Sequence, residues 1–319
     1  MTRIVIIGMG LIGTSLGLAL RDPGDALPGP LTRIGYDADP RAARAAQSRQ
    51  AIDHAARSLD EALRDAQIVV LAVPALAFRE ILAQVAPLLP PGAVVTDVTS
   101  TKTNVCAWAS ELLPPGAAFV GGHPMAGREQ SGPAAADPEL FRGAIYCLTP
   151  DPDTPRHAIE TVEALVAAVG ARPYFLDPAE HDAYVAGISH LPFVLSAALV
   201  GVTSRSPAWN EMGALAATGF RDISRLASGD PAMHRDICLT NRDALLRWLD
   251  DTSALLDEYR TALEQEDAAH LHDLFERARA VREAWLASKP GLRPGEERLS
   301  MPEPEPPLSR LLGRWRRKD

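Results

Sequence analysis

The sequence predicts an α/β chain in two parts: a doubly wound parallel sheet over residues 1–176, then an all-α domain over 177–289. Three observations carry this. Short β-branched runs alternate with helical stretches in the first part, and residues 4–7, 33–36, 68–73, 93–97, 118–121, 146–148 and 172–176 read as strands. The first run breaks at Gly8 and continues as a helix, with Gly8, Gly10 and Gly13 spaced G-x-G-x-x-G. From DPAE (177–180) onward, apolar residues recur at helical spacing and the strand-like runs stop.

The three glycines serve different ends. Gly8 permits the tight turn, Gly10 lets a pyrophosphate approach the backbone, and Gly13 lets helix and strand pack closely. The phosphates then sit at the helix N-terminus, against Leu11 and Ile12. Asp37 ends the second strand, where a carboxylate accepts from adenosine ribose hydroxyls and repels a 2′-phosphate. It lies beyond the usual spacing because the Pro/Gly-rich DPGDALPGP (22–30) lengthens the intervening loop. The expectation is a Rossmann-type domain that binds NAD rather than NADP. Ligands bind such sheets at the carboxyl ends of the strands, where Val73, Pro74, residues 97–102 and His123 all fall.

Composition removes other classes. A formal net charge of −9 argues against a nucleic-acid or anionic-membrane surface. Cys106, Cys147 and Cys238 are widely spaced and odd in number, which suggests neither a disulfide framework nor a metal site. No basic leader precedes the first strand, and no apolar run approaches the ~18 residues of a membrane span. The expected location is the cytoplasm.

In the helical part, Asp177 caps a helix, Pro178 occupies its first position and Glu180 suits a capping box. The stretch HDAYVAGISHLPFVLSAALVGV is too apolar for a surface helix and is expected to be buried against its own domain or a second subunit. Pro192 should kink it and free a carbonyl near Ile188, one turn from His190. DPAM (230–233) starts another helix, and Leu271, Leu274, Phe275, Ala278, Val281 and Trp285 mark the last. Residues 290–319 hold six prolines and a basic end, and read as a disordered tail.

Function turns on GGHPMAG (121–127), a histidine among small residues at a strand end. With GMGLIGTS, DVTSTK, GGHPMAGREQSG, ISHLP and GFRDISR in this order, the chain resembles the prephenate and arogenate dehydrogenases of tyrosine biosynthesis, over about residues 3–286. The resemblance implies a helical dimerisation domain, a homodimer, and NAD(P)-dependent oxidative decarboxylation of a cyclohexadienyl substrate. Prephenate carries a hydroxyl at C4 and, across the ring, a quaternary carbon bearing a carboxylate. Loss of the hydroxyl proton and a hydride from C4 lets CO2 depart and the ring aromatise, so no metal or covalent nucleophile is required.

By the same resemblance, His123 is the catalytic histidine at the C4 hydroxyl and Ser100 an orienting hydrogen-bond partner. Arg225 binds a substrate carboxylate, Asp222 holds that arginine, and Glu129 stands near the mouth of the site. His190 and Lys102 complete the expected substrate-binding set. Two positions depart from the family pattern. Phe193 replaces a second histidine after S-H-L-P, and His234 stands where many relatives carry tryptophan. Prephenate and arogenate differ by a keto against an amino group, so the alternative substrate is arogenate, or both. More distant alternatives are another two-domain hydroxyacid or imine dehydrogenase, or a silent NAD-binding protein.

Overall fold

The computed structural model describes residues 2–27, 29–128 and 130–288. Glu129 and the 290–319 tail therefore lie outside the described residues. Eight strands form one sheet: β1 (Thr2–Ile7), β2 (Leu31–Tyr36), β3 (His54–Ala55), β4 (Ile68–Leu71), β5 (Val94–Asp97), β6 (Ala118–Pro124), β7 (Ile145–Pro150) and β8 (Arg172–Phe175). Their order across the sheet is β3-β2-β1-β4-β5-β6-β7-β8. Alternate strand residues serve opposite faces. Ile4, Ile6, Ile68 and Val70 join one apolar cluster, whereas Val5, Ile7, Val69 and Leu71 join the other. A sheet covered on both faces needs apolar residues at every position, which explains the continuous β-branched runs.

The sheet is mixed rather than wholly parallel. Strands β1 to β6 run parallel, but β7 is antiparallel to β6, with His123 opposite Cys147, and β8 runs parallel to β7. A parallel return requires a crossover, usually a helix. Among the described residues between β6 and β7 the regular structure is a single 3-10 turn, Pro133–Ala135, so the chain reverses instead. Strand β3 left no signal in the sequence because two residues cannot show a period.

Helices α1 (Leu11–Ala19), α2 (Pro40–Ser48), α3 (Leu59–Leu63), α4 (Phe78–Val85), α5 (Thr103–Leu112) and α6 (Arg156–Ala168) accompany the strands. Then come α7 (Pro178–Val185), α8 (Leu191–Thr203), α9 (Trp209–Leu215), α10 (Thr218–Ser224), α11 (Pro231–Thr240), α12 (Arg242–Glu264) and α13 (Ala268–Ala287). The two D-P starts form as the sequence implies. Asp177 accepts from the N–H groups of Ala179 and Glu180, and Asp230 from those of Ala232 and Met233. Glu180 does not close a box; its carboxylate accepts from the Tyr184 hydroxyl at 2.6 Å. The chain divides into two compact units, Met1–Trp248 and Leu249–Asp319. In the second, Tyr259 packs on Phe275 and His270 faces Glu258 at 3.0 Å.

Pro192 does not end the helix before it. A π turn, Ala186–His190, absorbs the proline, so α7 and α8 form one helical run, Pro178–Thr203. With a mean hydropathy of 1.9 over its most apolar window, this run is long and apolar enough, by length and composition only, to cross a membrane. That corrects the expectation that no such run exists. Burial splits the run into faces. Asp182, Val185, Ala186, His190, Phe193 and Ser196 are buried, whereas Ile188, Leu195 and Val202, seven residues apart, are exposed.

Candidate active site

The nucleotide end of the site forms where β1 meets β4. Gly8 has φ +98°, and a side chain there would strike the Ala72 carbonyl at 2.2 Å, close beside Val73. A side chain on Gly13 would strike the Gly8 carbonyl at 1.9 Å, so the helix sits directly on the turn. Above Gly10 there is open space within 4 Å, and Gly10 caps α1 without a side chain. The N–H groups of Leu11 and Ile12 thus face outward at a positive helix end, a cradle suited to a pyrophosphate. Asp37 supports this turn, accepting the Met9 N–H at 2.7 Å and the Asp39 N–H at 2.8 Å. A carboxylate has about four acceptor positions, so two remain for ribose hydroxyls. Pro74 opens the turn after β4, and the next N–H but one, from Leu76, reaches the Asp236 carboxylate of α11 at 3.4 Å.

The two glycines before His123 are required by neighbouring strands. A side chain on Gly121 would meet Thr149 Oγ1 at 2.3 Å, and one on Gly122 would meet the Asp97 carbonyl at 2.5 Å. His123 itself is buried, with Nδ1 2.9 Å from His181 Nε2. His181 Nδ1 lies 2.8 Å from Asp182 Oδ1, which also accepts the Lys102 N–H, while Oδ2 accepts the Thr103 N–H. Burial opposes ionisation of Asp182. The hydrogen bonds from His181, Thr103 and Lys102 outweigh it and hold the carboxyl below its usual range.

An ionised Asp182 accepts only, so His181 donates from Nδ1. With its single ring proton on Nδ1, His181 accepts at Nε2, and His123 donates to it from Nδ1. His123 is left with a free lone pair on Nε2. Burial, followed by the electrostatic influence of His181, Lys102 and His190, holds His123 well below the usual histidine pKa. The site presents a neutral imidazole acceptor in fixed orientation.

Beneath it, Lys102 is fully buried. Its ammonium donates to the Asp97 carboxylate, to Thr99 Oγ1 at 3.0 Å and to the Gly122 carbonyl at 2.6 Å. Asp97 in turn accepts the Gly122 N–H at 2.9 Å. One ion pair therefore grips both polar groups of the residue preceding His123. The expectation that Lys102 binds substrate is corrected, because all three of its donors are engaged inside the protein.

Both parts of the chain are similar to known proteins. The family described as "Prephenate dehydrogenase, nucleotide-binding domain" matches residues 17–175, and "Prephenate dehydrogenase, dimerization domain" matches 177–277. The prephenate dehydrogenase of Bacillus subtilis is 37% identical over 311 residues, covering 95% of this chain and 81% of that one. The chain belongs to the prephenate dehydrogenase family. Among solved structures, the Aquifex aeolicus prephenate dehydrogenase in complex with hydroxyphenyl propionate and NAD+ has a TM-score of 0.81 at 28% identity, over 89% of this chain and 98% of that one. The Synechocystis arogenate dehydrogenase has a TM-score of 0.75 at 33% identity, over 89% and 100%.

The other residues expected from prephenate dehydrogenases are placed unevenly. Ser100 is half-buried in the loop after β5, and no described residue engages its hydroxyl. His190 is fully buried in the π turn. Arg225 is exposed at the end of α10, and Asp222 is exposed with its carboxylate 3.6 Å from Arg221. The two departures from the family pattern prove to be neighbours: Phe193 and His234 stack with ring centroids 4.1 Å apart and planes 2° from parallel. Gly229 accommodates the imidazole, since a side chain there would come within 2.6 Å of it.

Sequence reasoning missed His181, Asp182 and Asp97. The first two lie in HDAYVAGISHLPF, whose apolar character hid a polar pair next to the helix start. It also missed Arg49, whose guanidinium donates to the carbonyls of Pro133, Ala134 and Ala136 and ties down the segment after GGHPMAG. Lys102→Met should strand the Asp97 carboxylate and cost about 3–5 kcal/mol of stability, measured by urea denaturation. Adding Asp97→Asn should recover part of that loss. Equal losses in the single and double variants would show that the charge pairing is not what holds this segment.

Proposed function

We propose that this chain catalyses NAD-dependent oxidative decarboxylation of prephenate to 4-hydroxyphenylpyruvate, in the cytoplasm and as a homodimer. The observation that supports it most is the neutral His123 acceptor, held by His181 and Asp182 at a strand end beside the glycine turn. On this reading, residues 1–176 bind the dinucleotide and 177–289 complete the substrate site and the dimer.

The C4 hydroxyl donates to His123 Nε2. Bound NAD supplies the acceptor for the hydride that leaves C4. His123 takes the hydroxyl proton as C4 becomes a carbonyl, departure of CO2 across the ring leaves a phenolate, and the proton held on His123 returns to it to give the phenol. The imidazolium so formed keeps its Nδ1–H on His181, with the Asp182 charge behind it. Ser100, whose hydroxyl no described residue engages, orients the substrate, and Arg225 pairs with a carboxylate. The Gly8–Gly13 turn and Asp37 hold the cofactor. A second reading, use of arogenate as well, is favoured by the Phe193–His234 stack, which puts an aromatic face where relatives place a polar side chain. Kinetics with prephenate and arogenate, each against NAD and NADP, separate the two.

His123→Asn keeps a hydrogen-bonding group but cannot take the proton. It should lose kcat by about 10²-fold or more, with NAD affinity by calorimetry unchanged. Near-wild-type kcat would place the base elsewhere. Because the neutral imidazole is the active form and its pKa is lowered, wild-type kcat/KM should hold below pH 6.5 and fall only as pH drops through that lowered value. An acid limb at or above pH 6.5 would contradict the assignment. Asp37→Ser should narrow the preference for NAD over NADP, and equal wild-type kcat/KM with both cofactors would remove that role from Asp37. Charging the exposed stripe with Ile188→Glu and Val202→Glu should convert a dimer to monomer in light scattering, and an unchanged mass would exclude this face.

A further inference from the structure

His190 is fully buried, and its Nε2 has no hydrogen-bond partner among the described residues. Its other nitrogen settles what that atom is. Asn241 Nδ2 lies 2.7 Å from the Asp182 carbonyl oxygen, which can only accept, so the amide nitrogen faces this way. The same NH2 group lies 3.2 Å from His190 Nδ1. An amide NH2 cannot accept, so His190 Nδ1 must, and the proton of the neutral ring sits on Nε2. Burial takes the His190 pKa down to about 4, which keeps the ring neutral at ordinary pH. The free atom is therefore an N–H donor, buried without an acceptor, on a ring tied through Asn241 to Asp182 and through His181 to His123.

A buried donor with nothing to donate to is costly, and native proteins rarely keep one without use. We propose that Asn241 is a positioning residue: it locks His190 as an Nε2–H donor, and that donor binds an oxygen acceptor of a ligand in the His123 site. The proposal rests on the reading of that site as the catalytic centre. It makes the two histidines complementary. His123 offers a lone pair because His181 takes its proton, whereas His190 offers a proton because Asn241 fills its lone pair. Asn241 joins the two, since the backbone carbonyl it holds belongs to Asp182, whose carboxylate orients His181. The acceptor is a substrate oxygen or the nicotinamide amide oxygen, which share this chemistry. An ammonium cannot take that place.

Nitrogen-15 spectra of the free protein test the first half. The His190 signals, assigned by their loss in His190→Leu, should show a protonated Nε2 and a bare Nδ1. In Asn241→Asp, where an acceptor oxygen replaces the NH2, that pattern should invert. Binding tests the second half, with hydroxyphenyl propionate and NAD as separate probes. His190→Leu should weaken one of them about tenfold, roughly the worth of one hydrogen bond. His190→Gln, whose amide nitrogen can stand near the position of Nε2, should restore most of it. Weaker hydroxyphenyl propionate binding places the acceptor on the substrate, and weaker NAD binding places it on the nicotinamide; either supports the proposal. A wild-type spectrum with Nδ1 protonated overturns it, as does His190→Leu binding both probes like wild type. Neither readout needs turnover, so a wild type that binds as expected but leaves prephenate unconsumed would refute the proposed reaction and not this assignment.

Discussion

The carboxylate of Asp182 is the contact on which the site depends. It accepts the N–H groups of Lys102 and Thr103 at the start of α5, and the imidazole of His181 one residue away. Lys102 caps α5 without a side-chain hydrogen bond of its own, so a carboxylate from a distant helix does the capping. A single side chain thereby fixes the end of the loop that carries Ser100 and, through His181, the ring of His123. Its burial is tolerable only because three donors meet it. Loss of Asp182 would release the loop and the His123 ring together.

A buried charge pair, Asp97 with Lys102, adjoins this contact through Lys102. Asp97 and Lys102 are both fully buried, an arrangement that apolar residues of similar volume could equal in stability. What apolar residues cannot do is hold a peptide group. Asp97 takes the N–H of Gly122 and Lys102 its carbonyl, so the pair acts on the backbone immediately before His123. We read the pair as a positioning device. Its cost is offset by hydrogen bonds that a hydrophobic replacement would leave unmade.

The fold was legible where the chain follows a simple period, and the site only where residues are adjacent in sequence. Seven of the eight strands announced themselves, because a sheet buried on both faces demands apolar runs; β3 was too short to do so. The antiparallel turn at β7 was not legible, since its cause is a missing crossover helix rather than anything in the strand itself. Gly8, Gly13 and Asp37 were readable because the turn they build is local. Lys102 was misread because nothing in DVTSTK says that its side chain turns inward. His181 and Asp182 meet His123 and Lys102 only after folding, 58 and 80 residues away in the chain. The hydropathy of the Pro178–Thr203 run concealed them. One face of that run carries the polar pair inward, and the other leaves apolar side chains exposed, so its mean hydropathy described neither.

The depressed pKa of His123 raises a chemical question, because a histidine held so far from its protonated form is a weak base in the free protein. Two features reconcile this with the proton transfer proposed for His123. The hydroxyl to be deprotonated becomes far more acidic as hydride leaves its carbon, so the acceptor needs strength only late in the step. At that moment the new imidazolium gains what the neutral ring lacked. Its Nδ1–H points at His181, and behind His181 lies an ionised carboxylate already in place, with no reorganisation required. The same burial that weakens the resting base also strengthens its attraction to Asp182 once charge develops. A site arranged in this way discriminates against the protonated histidine before reaction and stabilises it during reaction, which is the differential binding that catalysis requires.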